Sequence, residues 1–142
     1  MNCSFKILGG ESGRDGEAST FLAEGVPGDF HKIRSVPALK HLLANAGTLL
    51  IDVRTPAEYE AGHIAGAINM PLNSLGRHVA EIPPDQAMVL YCSSGYRSAM
   101  GVMALQLEGR YRVQGFPPSI EGWKAAGEPV VSTGDAEVGR PA

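Results

Sequence analysis

The chain has 142 residues, of which 44% are hydrophobic, with a formal net charge of -3 and a pI near 5.8. That length suits one compact domain with some tail, and the mild acidity argues against a nucleic-acid partner, which favours strongly basic surfaces. No run approaches the roughly eighteen apolar residues that would read as a membrane span, and the start of the chain lacks an apolar signal core, so the expectation is a cytoplasmic protein with no membrane partner.

Taken in chain order, residues 1 to 30 show little periodicity, and "GGESGRDGEAST" and "EGVPGDF" read as a flexible N-terminal extension. The ordered domain is predicted over 31 to 131, with a flexible tail over 132 to 142. Ser35 can cap a helix on which Leu39, Leu42, Leu43 and Ala46 share one face, ended by Gly47. "TLLIDV" is a short apolar run typical of a strand buried on both faces. Thr55-Pro56 starts a helical turn through Glu60, stopped at Gly62. "GAINMP" is a second strand closed by Pro71, followed by a helix from about Asn73 to Glu81 interrupted by Gly76.

"AMVLYC" is another buried strand. From Ser98 to Glu108, Met100, Met103, Ala104 and Leu107 form one helical face, with Val102 and Leu105 off it, which predicts a helix buried on more than one side. "YRVQGF" is a last strand and "SIEGWKAAG" a last short helix, with Trp123 anchoring it in the core. Alternating strands and helices imply an α/β layer with a mostly parallel sheet.

The two cysteines, Cys3 and Cys92, are not expected to pair in a reducing compartment. The four histidines show no metal-ligand spacing, so no metal is assigned. Cys92 is the informative one. It stands at the carboxyl end of a strand, where open α/β sheets bind ligands, and "SSGYR" separates it from the next helix. Small residues let backbone N–H groups turn inward as an anion nest. The helix amino end adds partial positive charge, and Arg97 adds a full one. Together they favour a thiolate, a nucleophile at neutral pH. An inert core cysteine would need neither the small-residue loop nor an arginine at a helix start, although Arg97 can also be read as a surface ion pair.

The segment "CSSGYRS", Cys92 to Ser98, resembles the C-x-x-G-x-R-S active-site loop of the rhodanese-like sulfurtransferases. "LLIDVRTPAEYEAGHIAGAINMPL" is similar to the family's D-V-R, E-Y and G-H-I-x-G-A-x-N-x-P hallmark, and "GWKAAGEPV" to its closing W-x-x-x-G-x-P-V. The resemblance runs from about Ile33 to Val131. It implies a three-layer rhodanese-like fold, with a central, mainly parallel five-stranded sheet flanked by helices. It also implies sulfur transfer without a cofactor. Cys92 would be the catalytic nucleophile, attacking the outer sulfur of thiosulfate or a persulfide donor and carrying a persulfide to a thiol, cyanide or protein acceptor. Ser93, Ser94, Gly95, Tyr96, Arg97 and Ser98 would bind the small anionic donor. One departure stands out: where the family commonly has Gly-Gly before the last helix, this chain has Pro118-Ser119, preceded by Pro117, and prolines restrict the chain and donate no backbone hydrogen bond.

Other residues carry two readings. Asp52 lies at a strand's carboxyl end, a catalytic address, yet Asp52 and Arg54 can pair or cap loops, and the structural role is favoured. His63 could act as a base, but thiolate exchange needs little proton shuttling, so it reads as a hydrogen-bonding residue. Glu58 reads as surface and Tyr59 as packing. Cys3 could relay or resolve a persulfide. Two rival functions stand beside sulfur transfer. A cysteine phosphatase uses C-x5-R, whereas four residues separate Cys92 from Arg97. A non-catalytic rhodanese-like binding module usually lacks the cysteine.

Overall fold

The computed structural model describes residues 33 to 45 and 47 to 133. The predicted extension with Cys3, Ala46, and the tail from 134 onward lie outside the described residues. The elements run α1 (Val36–Ala44), β1 (Thr48–Asp52), α2 (Pro56–Ala61), β2 (Ile68–Asn69), a 3-10 turn (Leu72–Ser74), α3 (Leu75–Val79), β3 (Ala87–Tyr91), α4 (Tyr96–Leu107), β4 (Val113–Gly115) and α5 (Ser119–Ala125).

Among the described residues the sheet has four strands in the order β2-β1-β3-β4, all parallel. This matches the four strands legible in the sequence rather than the five implied by the family. The closing segment instead returns to the domain through an isolated antiparallel bridge between His63 and Val131. The strands alternate sides with period two. Leu50, Val89 and Tyr91 pack with Leu39 of α1 and Ile120 and Trp123 of α5. Ile51, Met88, Leu90 and Cys92 pack with Leu75 and Val79 of α3 and Val102 and Leu105 of α4. Helices therefore cover both faces of the sheet, and the thiol belongs to the α3/α4 side.

Local signals explain the element ends. Ser35 caps α1, its side chain accepting the Ala38 N–H at 3.2 Å. The helix stops at Ala44, with Asn45 as its cap, before Gly47 is reached. The predicted 73–81 helix is instead a 3-10 turn followed by α3, and the break falls at Ser74, whose φ/ψ of -128°/13° is not helical, rather than at Gly76 inside α3.

On α4 the predicted core face is the wrong one. Met100 and Met103 are 50% and 39% exposed, whereas Ser98, Gly101, Val102 and Leu105 are buried. A Cβ at Gly101 would sit 2.8 Å from Leu90 Cδ2, so the helix lies on the sheet where its smallest residue lets it approach. Residue hydrophobicity misplaced the face because the buried stripe of this helix contains a serine and a glycine. α4 also begins two residues earlier than Ser98, at Tyr96.

Candidate active site

β3 delivers Cys92 to the carboxyl end of the sheet, beside the amino end of α4. The α4 N-cap is Gly95, at φ 109°, which has no side chain to cap the helix. The cap acceptor is the sulfur itself. Gly95 N–H points to Cys92 Sγ at 3.1 Å and Ser98 N–H at 3.4 Å. Glycine is required at 95 on two counts: its φ is left-handed, and a Cβ there would meet the Pro117 carbonyl oxygen at 3.0 Å.

The Ser98 hydroxyl lies 3.6 Å from Sγ and 3.1 Å from the Gly95 carbonyl. In the thiol form Sγ–H donates to Ser98 Oγ, whose own proton goes to Gly95. Once the thiol is ionised, that hydroxyl proton can turn to the sulfur. Burial alone pushes the Cys92 thiol up, but donors on Ser98, Gly95 and Ser119 outweigh it and the net shift is downward.

The loop is held from behind by α5. Ile120 N–H donates to the Cys92 carbonyl at 3.0 Å and Glu121 N–H to the Ser93 carbonyl at 3.2 Å. Ser119 Oγ accepts the Cys92 N–H at 3.1 Å and donates to the Phe116 carbonyl at 2.9 Å. This is where the chain departs from the family pattern, and the prolines are not called on to donate, because the loop is held by Ser119 Oγ as acceptor and by the N–H groups of Ile120 and Glu121. Pro118 fits because Gly122 has no side chain: a Cβ at 122 would fall 2.5 Å from Pro118 Cβ.

Arg97 does not point freely into the loop. Its Nη1 donates to Glu58 Oε1 at 2.8 Å, and its Nη2 to Glu58 Oε2 and Ser93 Oγ, both at 3.1 Å. Both readings of Arg97 therefore meet in one residue: it borders the loop, and it is an ion pair. The hydrogen bonds from Arg97, opposed by partial burial and aided by Thr55, hold the Glu58 carboxyl at about 2. Beside Arg97 opens a cleft of about 310 Å³ lined by Val53, Pro56, Pro71 and Leu72. Of the remaining predicted loop residues, Ser94 and Tyr96 are exposed.

Asp52 and Arg54 form a buried bidentate pair, with Nη2–Oδ2 at 2.7 Å, and Arg54 also donates to the Gly62 carbonyl at 2.6 Å. His63 is buried, stacks on Tyr59 with ring centroids 3.7 Å apart, and places Nδ1 2.7 Å from the Tyr59 carbonyl. Trp123 is buried and donates to the Pro129 carbonyl at 2.8 Å. Among the described residues no group of three metal-ligating side chains comes together.

Two residues at the site were given no role there from sequence: Glu58 was read as surface, and Ser119 was noted only as part of the departure from Gly-Gly. Glu58 had a legible signal, because T-P-A-E is a capping box in which Thr55 and Glu58 bond reciprocally and fix the carboxylate in place. Ser119 had a weaker one, as a serine standing where the family commonly has a glycine.

Residues 35–126 match the family model of the rhodanese-like domain, and the chain belongs to that family. It is 34% identical over 102 residues to a sulfurtransferase of Allochromatium vinosum, covering 72% of this chain and 95% of that protein. It is 28% identical over 96 residues to the thiosulfate sulfurtransferase GlpE of Stutzerimonas stutzeri, covering 68% and 86%. The human single-domain sulfurtransferase TSTD1 superposes with a TM-score of 0.59 at 25% identity, covering 64% of this chain and 93% of that one. Other relatives are longer than the match, and the chain spans 59%, 36% and 56% of three of them.

Proposed function

We propose that this chain is a sulfurtransferase in which Cys92 carries the transferred sulfur. The observation that carries the reading is the sulfur's position as the acceptor of two loop N–H groups, from Gly95 and Ser98, at the amino end of a 12-residue helix. Such an arrangement stabilises negative charge on sulfur. In the first half-reaction the Cys92 thiolate attacks the outer sulfur of a sulfane donor. With thiosulfate, the S–S bond of the donor breaks, sulfite departs with the bonding pair, and Cys92 bears a persulfide anion. In the second, an acceptor thiolate or cyanide attacks the terminal sulfur. The new bond forms as the persulfide bond breaks, and the Cys92 thiolate returns. Neither half needs an oxidant, a reductant or a cofactor.

The amides that hold the thiolate also serve the persulfide, whose terminal sulfur is a single atom close to Cys92. A phosphoryl group would need donors on a wider ring, and four residues between Cys92 and Arg97 leave a tight one. Support for the reading also comes from the sulfurtransferase names among the relatives. The test is paired: sulfur transfer from a sulfane donor to cyanide, and hydrolysis of an aryl phosphate, on wild type and Cys92→Ser. The first activity should be present and lost in the variant, and the second negligible. Phosphatase turnover without sulfur transfer from any donor would overturn the reading.

A further inference from the structure

The cation next to the nucleophile is already spent. Both carboxylate oxygens of Glu58 are bonded to the Arg97 guanidinium, at 2.8 and 3.1 Å. Ser93 Oγ closes the triangle, 3.1 Å from Arg97 Nη2 and 3.4 Å from Glu58 Oε2. The same carboxylate is pinned from its own helix by the Thr55 N–H at 3.0 Å and the Thr55 hydroxyl at 3.1 Å. It is not free to swing away when a ligand arrives. Formal charges on the pair cancel, so a donor approaching the Cys92 thiolate meets only the partial charges of the amides and the helix end. A dianion is the worst candidate for such a site, because two negative charges must be brought up to a third.

Resting on the reading of Cys92 as sulfur carrier, we infer that Glu58 is a specificity-determining residue: by neutralising Arg97 it turns the loop away from doubly charged sulfane donors and toward singly charged organic ones. A second observation agrees. The cleft beside Arg97 is lined by Val53, Pro56, Pro71 and Leu72 together with Thr55 and Asn73, a mainly apolar surface better suited to an organic group than to a third sulfonate oxygen. The selection does not depend on protonation across the ordinary pH range, since the Glu58 carboxyl is held at about 2.

The probe is a pair of donors differing by one charge. Thiosulfate transfers its outer sulfur and releases sulfite. The methanethiosulfonate anion, with a methyl group in place of one oxygen, transfers the same sulfur and releases methanesulfinate. In both cases the S–S bond of the donor breaks and the Cys92 persulfide anion forms, with charge conserved. Loading rates of Cys92 are read by intact mass for wild type, Glu58→Gln and Arg97→Gln.

Glutamine at 58 still satisfies the capping box, so α2 should survive. The thiosulfate-to-methanethiosulfonate rate ratio should rise about tenfold in Glu58→Gln, as expected for removing the charge that balances Arg97 at the edge of the loop, and fall in Arg97→Gln. The same variants are treated with iodoacetate and iodoacetamide, a charged and a neutral reagent, and the Cys92 alkylation ratio should move in the same two directions. That readout needs no sulfur transfer. If no donor loads Cys92 but the alkylation ratio shifts, the carrier reading falls and the charge role of Glu58 stands. Donor and alkylation ratios unchanged in both variants would overturn the inference.

Discussion

Ser119 holds the backbone of Cys92. Its hydroxyl oxygen accepts the Cys92 N–H at 3.1 Å, gives its proton to the Phe116 carbonyl at 2.9 Å, and lies 3.9 Å from the sulfur. The residue is fully buried, and its φ of 55° is one that a serine adopts at a cost. A strained residue thus stands where its side chain reaches the Cys92 amide. Two substitutions separate backbone from hydroxyl. Ser119→Ala keeps the strain and orphans a buried N–H, and should destabilise the fold by about 1–3 kcal/mol. Ser119→Gly loses the same bond but relieves the strain, and should unfold later in urea than the alanine variant, by about 1 kcal/mol. Both should raise the pH at which Cys92 becomes reactive. Equal stability of the two variants with an unmoved thiol titration would make Ser119 a bystander.

The lowered pKa of the Cys92 thiol has a stability consequence with a definite sign. The folded state favours the thiolate, whereas the unfolded chain titrates near an ordinary thiol, about 8.5. Between the folded and unfolded values the unfolded state binds more protons, so stability should rise with pH across that window. Above the unfolded value the gain is fully present, and it is lost as pH falls through the folded value. Cys92→Ala should abolish this slope. Ser98→Ala should reduce it, since it removes the hydroxyl beside the sulfur while leaving the Ser98 amide in place. Urea melts from pH 5 to 9, run beside alkylation rates, read both effects.

Asp52 and Arg54 should behave as structure. Asp52 is fully buried and Arg54 is 6% exposed, and the arginine ties the end of β1 to the Gly62 carbonyl after α2. Breaking a buried pair from one side leaves an uncompensated charge, so Arg54→Ala should cost about 3–5 kcal/mol. At low urea and low temperature, any folded fraction should keep its Cys92 alkylation rate. A variant of wild-type stability without sulfur transfer would assign the pair to catalysis instead.

The Arg97–Glu58 pair should contribute little to folding. Its side chains are 33% and 36% exposed, and pairs of that kind are worth about 0.2–1 kcal/mol. Arg97→Ala should therefore melt close to wild type while losing more of its transfer from thiosulfate than from methanethiosulfonate, because the Glu58 charge is left unbalanced. A loss of stability equal to the loss of activity would make Arg97 structural.

The sheet was legible because buried parallel strands are short apolar runs, and "TLLIDV" and "AMVLYC" have no other good reading. The turn of the Cys92 loop, with the Gly95 and Ser98 amides on the sulfur, was legible because a glycine and small residues between a strand and a helix let backbone N–H groups turn inward. Other features depend on contacts between distant segments. The buried face of α4 was missed because close approach of helix to sheet selects Gly101 and Ser98 over Met100 and Met103. The partner of Arg97 was missed because Glu58 lies 39 positions away in sequence. Ser119 was visible only as a departure from a glycine pair, and its φ explains why glycine serves there: either residue must take a left-handed turn, and only the serine adds a hydroxyl.

The most direct test is intact mass followed by peptide mapping, after incubation of the whole chain with thiosulfate and, separately, with methanethiosulfonate. One added sulfur atom is expected on the peptide containing Cys92, removed again by cyanide or by a thiol, and absent in Cys92→Ser. Sulfur found only on Cys3, or no sulfur taken up from either donor by a folded chain, would contradict it.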